Sequence, residues 1–133
     1  MDYAQARAQV DAQHPAPRVL AVADDPELRQ QLREALTGFE VIEAEEGDQA
    51  LAAVKEELPD LVLTPLVLPG MDGVALMEQL RAYQPKLPVV VLVGEGEAEA
   101  VADKGFGGVA DQPVEAAALR GAVGGLLERE GLA

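Results

Sequence analysis

Val89-Val90-Val91-Leu92-Val93 is the most strand-like stretch of this chain, because β-branched residues favour sheets. All of its residues are apolar, which is typical of a parallel strand that is buried on both faces of a sheet. Shorter runs of the same kind lie at residues 19–22, 61–63 and 108–110, and an alternating run lies at 39–44. The sequence therefore predicts five strands.

Apolar residues at helical spacing fill the interval after each strand. Asp25 and Pro26 predict an N-cap and a first helical residue, and Gly38 predicts the end of that helix. The other helices are expected to begin at Gly47 and Asp72 and to span residues 95–104 and 114–130. Strands that alternate with helices in this way predict an α/β fold, a three-layer sandwich around a parallel sheet. The doubly wound order 2-1-3-4-5 is the natural choice, with the functional crevice at the carboxyl ends of the strands.

The charge of the chain excludes several classes of partner. Of its 133 residues, 24 are acidic and 10 are Lys or Arg, so the formal net charge is −14. Nucleic acids and anionic membranes are recognised by clustered Lys and Arg, so neither is an expected partner. The chain has no Cys and one His, which excludes disulfides, thiolate metal sites and multi-His sites. No apolar run approaches ~20 residues and no secretion signal is evident, so we expect a cytoplasmic protein.

Residues 1–17 differ in composition from the remainder of the chain. They are rich in Ala and Gln and end in two closely spaced prolines, so they predict an extension that is either helical or disordered. His14 lies in this extension and is expected to be exposed. The length fits one domain, which we expect over residues 18–130, with residues 131–133 as a short tail.

Several segments at the predicted strand ends resemble the receiver domain of bacterial response regulators, which has a CheY-like, flavodoxin-like fold. They are residues 18–29 (RVLAVADDPELR), 59–63 (PDLVL), 68–73 (LPGMDG), 87–92 (LPVVVL) and 112–113 (QP). The resemblance covers residues 18–130 in order, and the segment 68–73 is its most specific part. It implies a role in two-component, phosphorelay signal transduction, in which a histidine kinase transfers a phosphoryl group to one Asp.

The resemblance also implies which residues occupy the phosphorylation site, and only one of them keeps the family's residue. The two acids that hold Mg²⁺ correspond to Ala23 and Asp24, and the phospho-acceptor Asp corresponds to Pro65. The hydroxyl that binds the phosphoryl oxygens corresponds to Val93, and the Lys that pairs with them corresponds to Gln112. A hard cation needs clustered carboxylates, and proline cannot accept a phosphoryl group. We therefore interpret the chain as a degenerate form, a pseudo-receiver that is not an enzyme and needs no cofactor.

These departures from the family pattern are consistent with one another. Without the neighbouring carboxylates, a Lys at position 112 would be a buried unpaired charge that costs several kcal/mol. Gln112 avoids that cost. A hydroxyl without a phosphoryl partner is unfavourable in an apolar setting, and Val93 avoids it. Together, Ala23, Pro65 and Val93 predict a largely apolar crevice at the phosphorylation site. Because Pro65 lacks an N–H, the hydrogen bonding of its strand is expected to end at or before Thr64.

Other acids near these positions do not restore the site. A one-residue shift of the alignment would pair Asp24 with Asp25 as a vestigial metal site, but two carboxylates without a third ligand bind Mg²⁺ weakly. Asp25 is instead expected to cap the first helix. Asp60 and Asp72 are too far along the chain to replace the residue at position 65. No metal site is therefore expected.

Three functions remain open on the sequence. The leading one is a phosphorylation-independent signalling module that binds a protein partner, with a basic surface to match the acidic chain, or a second copy of itself. One alternative is a small-molecule sensor that uses the apolar crevice, and a weaker one is an active receiver that accepts the phosphoryl group on another acid such as Glu95.

Two further expectations come from the resemblance. The family commonly binds partners through its fourth helix, fifth strand and fifth helix, where this chain has Val101, Lys104, Val109, Asp111 and Arg120. Val109 also takes the position of an aromatic residue that changes conformation in many members. The Gln112–Pro113 peptide bond is expected to be cis.

Overall fold

The computed structural model describes residues 17–129, and for residues 128 and 129 it describes the backbone alone. The predicted extension before Pro17, with His14, and the tail 131–133 lie outside these residues. Strands and helices alternate in the order β1 (Arg18–Val22), α1 (Pro26–Ala35), β2 (Glu40–Ala44), α2 (Gly47–Glu57), β3 (Leu61–Pro65), α3 (Gly73–Tyr83), β4 (Val89–Val93), α4 (Ala98–Val101), β5 (Gly108–Asp111) and α5 (Ala116–Arg129). In this part of the chain, every helix is too short or too polar to cross a membrane.

The five strands form one parallel sheet in the order β2-β1-β3-β4-β5. Helices α1 and α5 cover one face of the sheet, and helices α2, α3 and α4 cover the other. The predicted α/β class, the strand order and the three-layer arrangement are therefore confirmed. The most strand-like run of the sequence, Val89–Val93, is β4 with the predicted bounds.

Two apolar cores lie on opposite faces of the sheet, because successive side chains of a strand point to opposite faces. In β1, Val19 and Ala21 pack with residues of α1 and α5, whereas Leu20 and Val22 pack with residues of α2 and α3. Strands β1, β3 and β4 are buried along their whole length. Burial on both faces explains why the sequences of these three strands are almost entirely apolar.

The predicted helix starts at Asp25 and Asp72 are confirmed by their hydrogen bonds. The carboxylate of Asp25 accepts from the N–H of Glu27 at 3.0 Å, and that of Asp72 accepts from the N–H of Ala75 at 2.8 Å. These are N-cap bonds, which satisfy donors that a helix start otherwise leaves unpaired.

Two predicted helices are shorter than expected. The helix predicted over 95–104 is a single turn, Ala98–Val101, because its only buried apolar side chain is that of Val101. The last helix begins at Ala116 rather than 114, since the Glu115 carboxylate accepts from the N–H groups of Ala117 and Ala118 and so caps it.

The prediction that sheet bonding ends at or before Thr64 holds on the β1 side of β3 and is wrong on the β4 side. Strand β3 continues through Pro65, and the N–H of Leu66 donates to the carbonyl of Leu92 in β4 at 3.1 Å. Successive backbone N–H groups of a strand point to opposite neighbours, so the nitrogen of Pro65 faces β1. The pairing of β1 with β3 ends at Leu63, although β1 continues to Val22, because the next ladder bond would need an N–H at position 65.

Candidate functional site at the carboxyl edge of the sheet

The positions that the resemblance assigns to phosphorylation meet at the carboxyl edge of the sheet. Ala23 directly follows β1, Pro65 ends β3, Val93 ends β4 and Gln112 directly follows β5. The N–H of Gln112 donates to the carbonyl of Val93 at 2.8 Å, and Pro65 is paired with Leu92, the residue before Val93. The Gln112–Pro113 bond is cis, as the resemblance implied.

The side chains at this edge are apolar, and they are packed rather than open to solvent. Ala23 is 0% exposed, Val93 is 1% exposed, and Pro65 is also buried. Ala23 belongs to the core beneath α1 and α5, while Val93 packs with Val91 and Val101 beside α4. The predicted apolar character is present, but these three side chains form no open crevice for a small molecule.

The two neighbouring carboxylates, Asp24 and Asp25, are exposed, and Asp25 already caps α1. Within residues 17–129, no group of three or more His, Cys, Asp or Glu side chains is placed to hold a metal ion. The described residues therefore do not supply the third carboxylate that Mg²⁺ binding at this edge needs.

Arg29 is a charged group at this edge that the sequence analysis missed. Its guanidinium donates to the carbonyl of Ala23 at 2.8 Å. It also lies 3.8 Å from the carboxylate of Glu43 and 3.4 Å from that of Glu45. The sequence places Arg29 near the start of α1. That its side chain reaches the carboxylates at the end of β2 depends on the fold and could not be predicted locally.

The other acids near position 65 have structural contacts of their own. Asp60 lies at the opposite end of β3, is 4% exposed and accepts the N–H of Arg18 at 2.7 Å. Asp72 caps α3. Glu95 is exposed in the loop after β4. None of these carboxylates takes the position at the end of β3.

The segment 68–73 belongs to a closed loop between β3 and α3. The N–H of Gly73 donates to the carbonyl of Leu66 at 2.7 Å, which joins the two ends of the loop. A Cβ atom on Gly73 would lie 2.6 Å from the carbonyl oxygen of Pro65, so only glycine fits there. This part of the sequence thus holds the loop against the end of β3.

Four residues of the expected partner face are exposed, namely Lys104, Val109, Asp111 and Arg120. Val101 differs from these four residues, because it is 2% exposed and packs against Val91 and Val93 of β4. The single turn of α4 is anchored to the sheet through this side chain, so Val101 cannot contact a partner.

A groove of about 240 Å³ lies between β5 and α5, next to the exposed residues of this face. Its lining is mainly apolar, with two carboxylates, and consists of Val109, Ala110, Asp111, Pro113, Val114, Glu115, Ala118, Leu119 and Ala122. Val109 is 43% exposed, which is high for a valine in a sheet.

A doubly wound sheet of this order, with its site at the carboxyl edge, places the chain in the CheY-like class of α/β proteins. Residues 19–123 match the profile of the response regulator receiver domain. The chain therefore belongs to the response regulator receiver domain family.

Known relatives agree with this assignment. The transcriptional regulatory protein GlrR of Escherichia coli K12 is 34% identical over 121 residues, which are 87% of this chain and 27% of GlrR. The DNA-binding response regulator MtrA of Mycolicibacterium smegmatis is 44% identical over 80 residues, which are 59% of this chain and 35% of MtrA. The chain thus spans about a third or less of the length of these relatives.

A solved structure shows the same fold. The receiver domain of NtrX from Brucella abortus is 31% identical and superposes with a TM-score of 0.78, over 83% of this chain and 98% of that domain.

Proposed function

We propose that this receiver domain works as a pseudo-receiver, a signalling module that acts through protein–protein contacts without being phosphorylated. The observation that carries the proposal is Pro65 at the end of β3, where the family resemblance places the phospho-acceptor Asp. Proline has no carboxylate, and the described residues provide no other acid at that strand end. The buried, apolar neighbours Ala23 and Val93 support the same conclusion, since a phosphoryl group and Mg²⁺ need polar partners.

The charge of the chain supports a basic partner. The formal net charge is −14, and three of the described arginines, Arg18, Arg29 and Arg33, are engaged in ion pairs with glutamates. The remaining surface field is dominated by carboxylates, which steer a basic partner towards the domain and lose strength as salt is added. We place this interaction in the bacterial cytoplasm, where two-component signalling operates.

The surface around β5 supports the position of the contact. Val109 is exposed beside the groove between β5 and α5, and Lys104, Asp111 and Arg120 surround it with charge. An apolar centre with a charged periphery is the usual composition of a protein–protein interface. We therefore assign partner binding to these four residues.

The substitution Val109→Arg is expected to remove most of the partner binding, at least tenfold in affinity, because it places a charge at the centre of the contact. Val67→Arg is the matched control, since Val67 is 70% exposed in the β3–α3 loop, away from this face. Proteins retained on immobilised wild-type, Val109→Arg and Val67→Arg domains are compared, and self-association is measured by sedimentation of each variant.

Acetyl phosphate and Mg²⁺ are added in a parallel arm. We expect the binding lost with Val109→Arg to be retained with Val67→Arg and to be unaffected by the phosphodonor. Equal retention by both variants would overturn the assigned face. Binding that appears only with the phosphodonor would overturn phosphorylation independence.

A further inference from the structure

We propose that Met71 is a site of reversible oxidation by hydrogen peroxide, and that the sulfoxide loosens the contact between the β3–α3 loop and α2. The proposal rests on the packing around the sulfur atom and is independent of whether the domain accepts a phosphoryl group. It would give this domain a covalent input on the same loop that follows Pro65.

Met71 is accessible to a small oxidant. It is half-buried and lines an open cavity of about 290 Å³ together with residues from the start of α2, Glu46, Gly47 and Asp48. Met77, on α3, is only 3% exposed and lies within the core. The chain contains no Cys, so the thioether of Met71 is the accessible sulfur among the described residues.

The sulfur of Met71 is seated against the backbone of Gly47. A Cβ atom built on Gly47 would lie 2.7 Å from Sδ, so no heavy atom fits between the sulfur and this glycine. The side-chain amide of Gln79 donates to the same Sδ at 3.8 Å. An added oxygen makes this sulfur larger and polar, so we expect the side chain to move out of its contact with Gly47.

The start of α2 relies on its contact with Met71, because it lacks the side-chain cap that the starts of α1 and α3 have. Asp25 and Asp72 cap α1 and α3 through side-chain bonds, whereas Glu46 at the N-cap of α2 makes no such bond. Gly47 is nevertheless buried, and Met71 is the side chain that packs closest to it. Displacing Met71 should expose the first turn of α2, where the backbone donors lack a side-chain cap.

The chemistry needs only the thioether and the peroxide. A lone pair on Sδ attacks one oxygen of hydrogen peroxide, so the S–O bond forms as the O–O bond breaks. The departing hydroxide takes the proton of the transferred hydroxyl and leaves as water. The methionine loses two electrons and the peroxide gains them. Methionine sulfoxide reductases reverse the step at the expense of a thiol reductant, which makes the change suited to regulation.

The test treats the folded chain with dilute hydrogen peroxide and follows each methionine by peptide mass mapping. We expect Met71 to be oxidised roughly tenfold faster than Met77, because accessibility governs the rate. Amide hydrogen exchange at residues 47–50 should rise in parallel and return to its original level after reductase treatment. Met71→Leu, which conserves volume, should abolish the rise, whereas Met77→Leu should keep it.

Three outcomes would overturn the proposal. These are equal oxidation rates for the two methionines, sulfoxide at Met71 with unchanged exchange at residues 47–50, and a rise in exchange that persists in Met71→Leu. Mapping separates both sites from Met1, which lies outside the described residues.

Discussion

The combined substitutions Ala23→Asp, Pro65→Asp, Val93→Thr and Gln112→Lys are expected to give a chain that carries a phosphoryl group on most molecules, whereas the unmodified chain is expected to take none. The fold already brings these four positions to one edge, with Asp24 beside them. Restored carboxylates supply the ligands that Mg²⁺ needs, and the lysine supplies positive charge for the transferring group. Incubation with acetyl phosphate and Mg²⁺, followed by intact mass spectrometry, measures the labelled fraction.

The matched control replaces Pro65→Asp with Pro65→Asn in the same combination. Asparagine has nearly the shape of aspartate but no nucleophilic carboxylate, so this variant should stay unlabelled. Thermal melts with and without Mg²⁺ check that both variants fold. The melting temperature should rise strongly with Mg²⁺ only in the Asp form. Labelling of the unmodified chain, or equal labelling of the Asn control, would contradict the assignment of Pro65 to the acceptor position.

The substitution Gly73→Ala is expected to lower the free energy of unfolding by about 3 kcal/mol. The new Cβ would lie 2.6 Å from the carbonyl oxygen of Pro65 and 3.2 Å from the Cα of Leu66. Both are backbone atoms of a buried segment, so neither can rotate away, and the loop or the end of β3 must shift. Urea denaturation of the wild type and the variant measures the difference.

Gly121→Ala is the control for this prediction. Gly121 lies in α5, and a Cβ built on it meets nothing within 4 Å outside its own helix. The change should raise the free energy of unfolding by up to ~1 kcal/mol, because alanine favours a helix more than glycine does. Equal destabilisation by both variants would mean that the contact with Pro65 does not decide the outcome.

The strands of the core were predictable because their environment leaves a simple pattern. Strands β1, β3 and β4 are buried on both faces, so their sequences are apolar except at Arg18 and Thr64. The run Val89–Val93 has the same bounds in sequence and structure. The side-chain caps of α1 and α3 were predictable for a similar reason, since Asp25 and Asp72 act on backbone donors within three residues.

The effect of Pro65 on the sheet could not be predicted from composition. A proline removes a ladder bond only if its nitrogen faces a paired neighbour, and that depends on the register of three strands. Here the nitrogen faces β1, so the pairing with β1 ends at Leu63, whereas the pairing with β4 continues through Pro65. The burial of Val101 was missed because the partner face was assigned by resemblance, whereas burial depends on how α4 packs against β4.

The location of the candidate site was predictable and its packing was not. Parallel topology alone brings Ala23, Pro65 and Val93 to one edge, but whether their side chains line an opening depends on the neighbours that cover them. The contact of Met71 with Gly47 joins the β3–α3 loop to the start of α2, and these two segments are distant in sequence. No local pattern indicates such a contact.

The central claim, that this receiver domain does not use phosphorylation, is tested most directly by amide NMR of the unmodified chain. The spectrum is recorded first with Mg²⁺ and then with beryllofluoride, which mimics a phosphoryl group on an acceptor Asp. We predict no saturable shift at residues 64–66 or at Val93 with beryllofluoride, and at most weak shifts at Asp24 and Asp25 with Mg²⁺ alone. Saturable beryllofluoride shifts at residues 64–66 and at Val93 would contradict the claim and show that the phosphorylation site is functional.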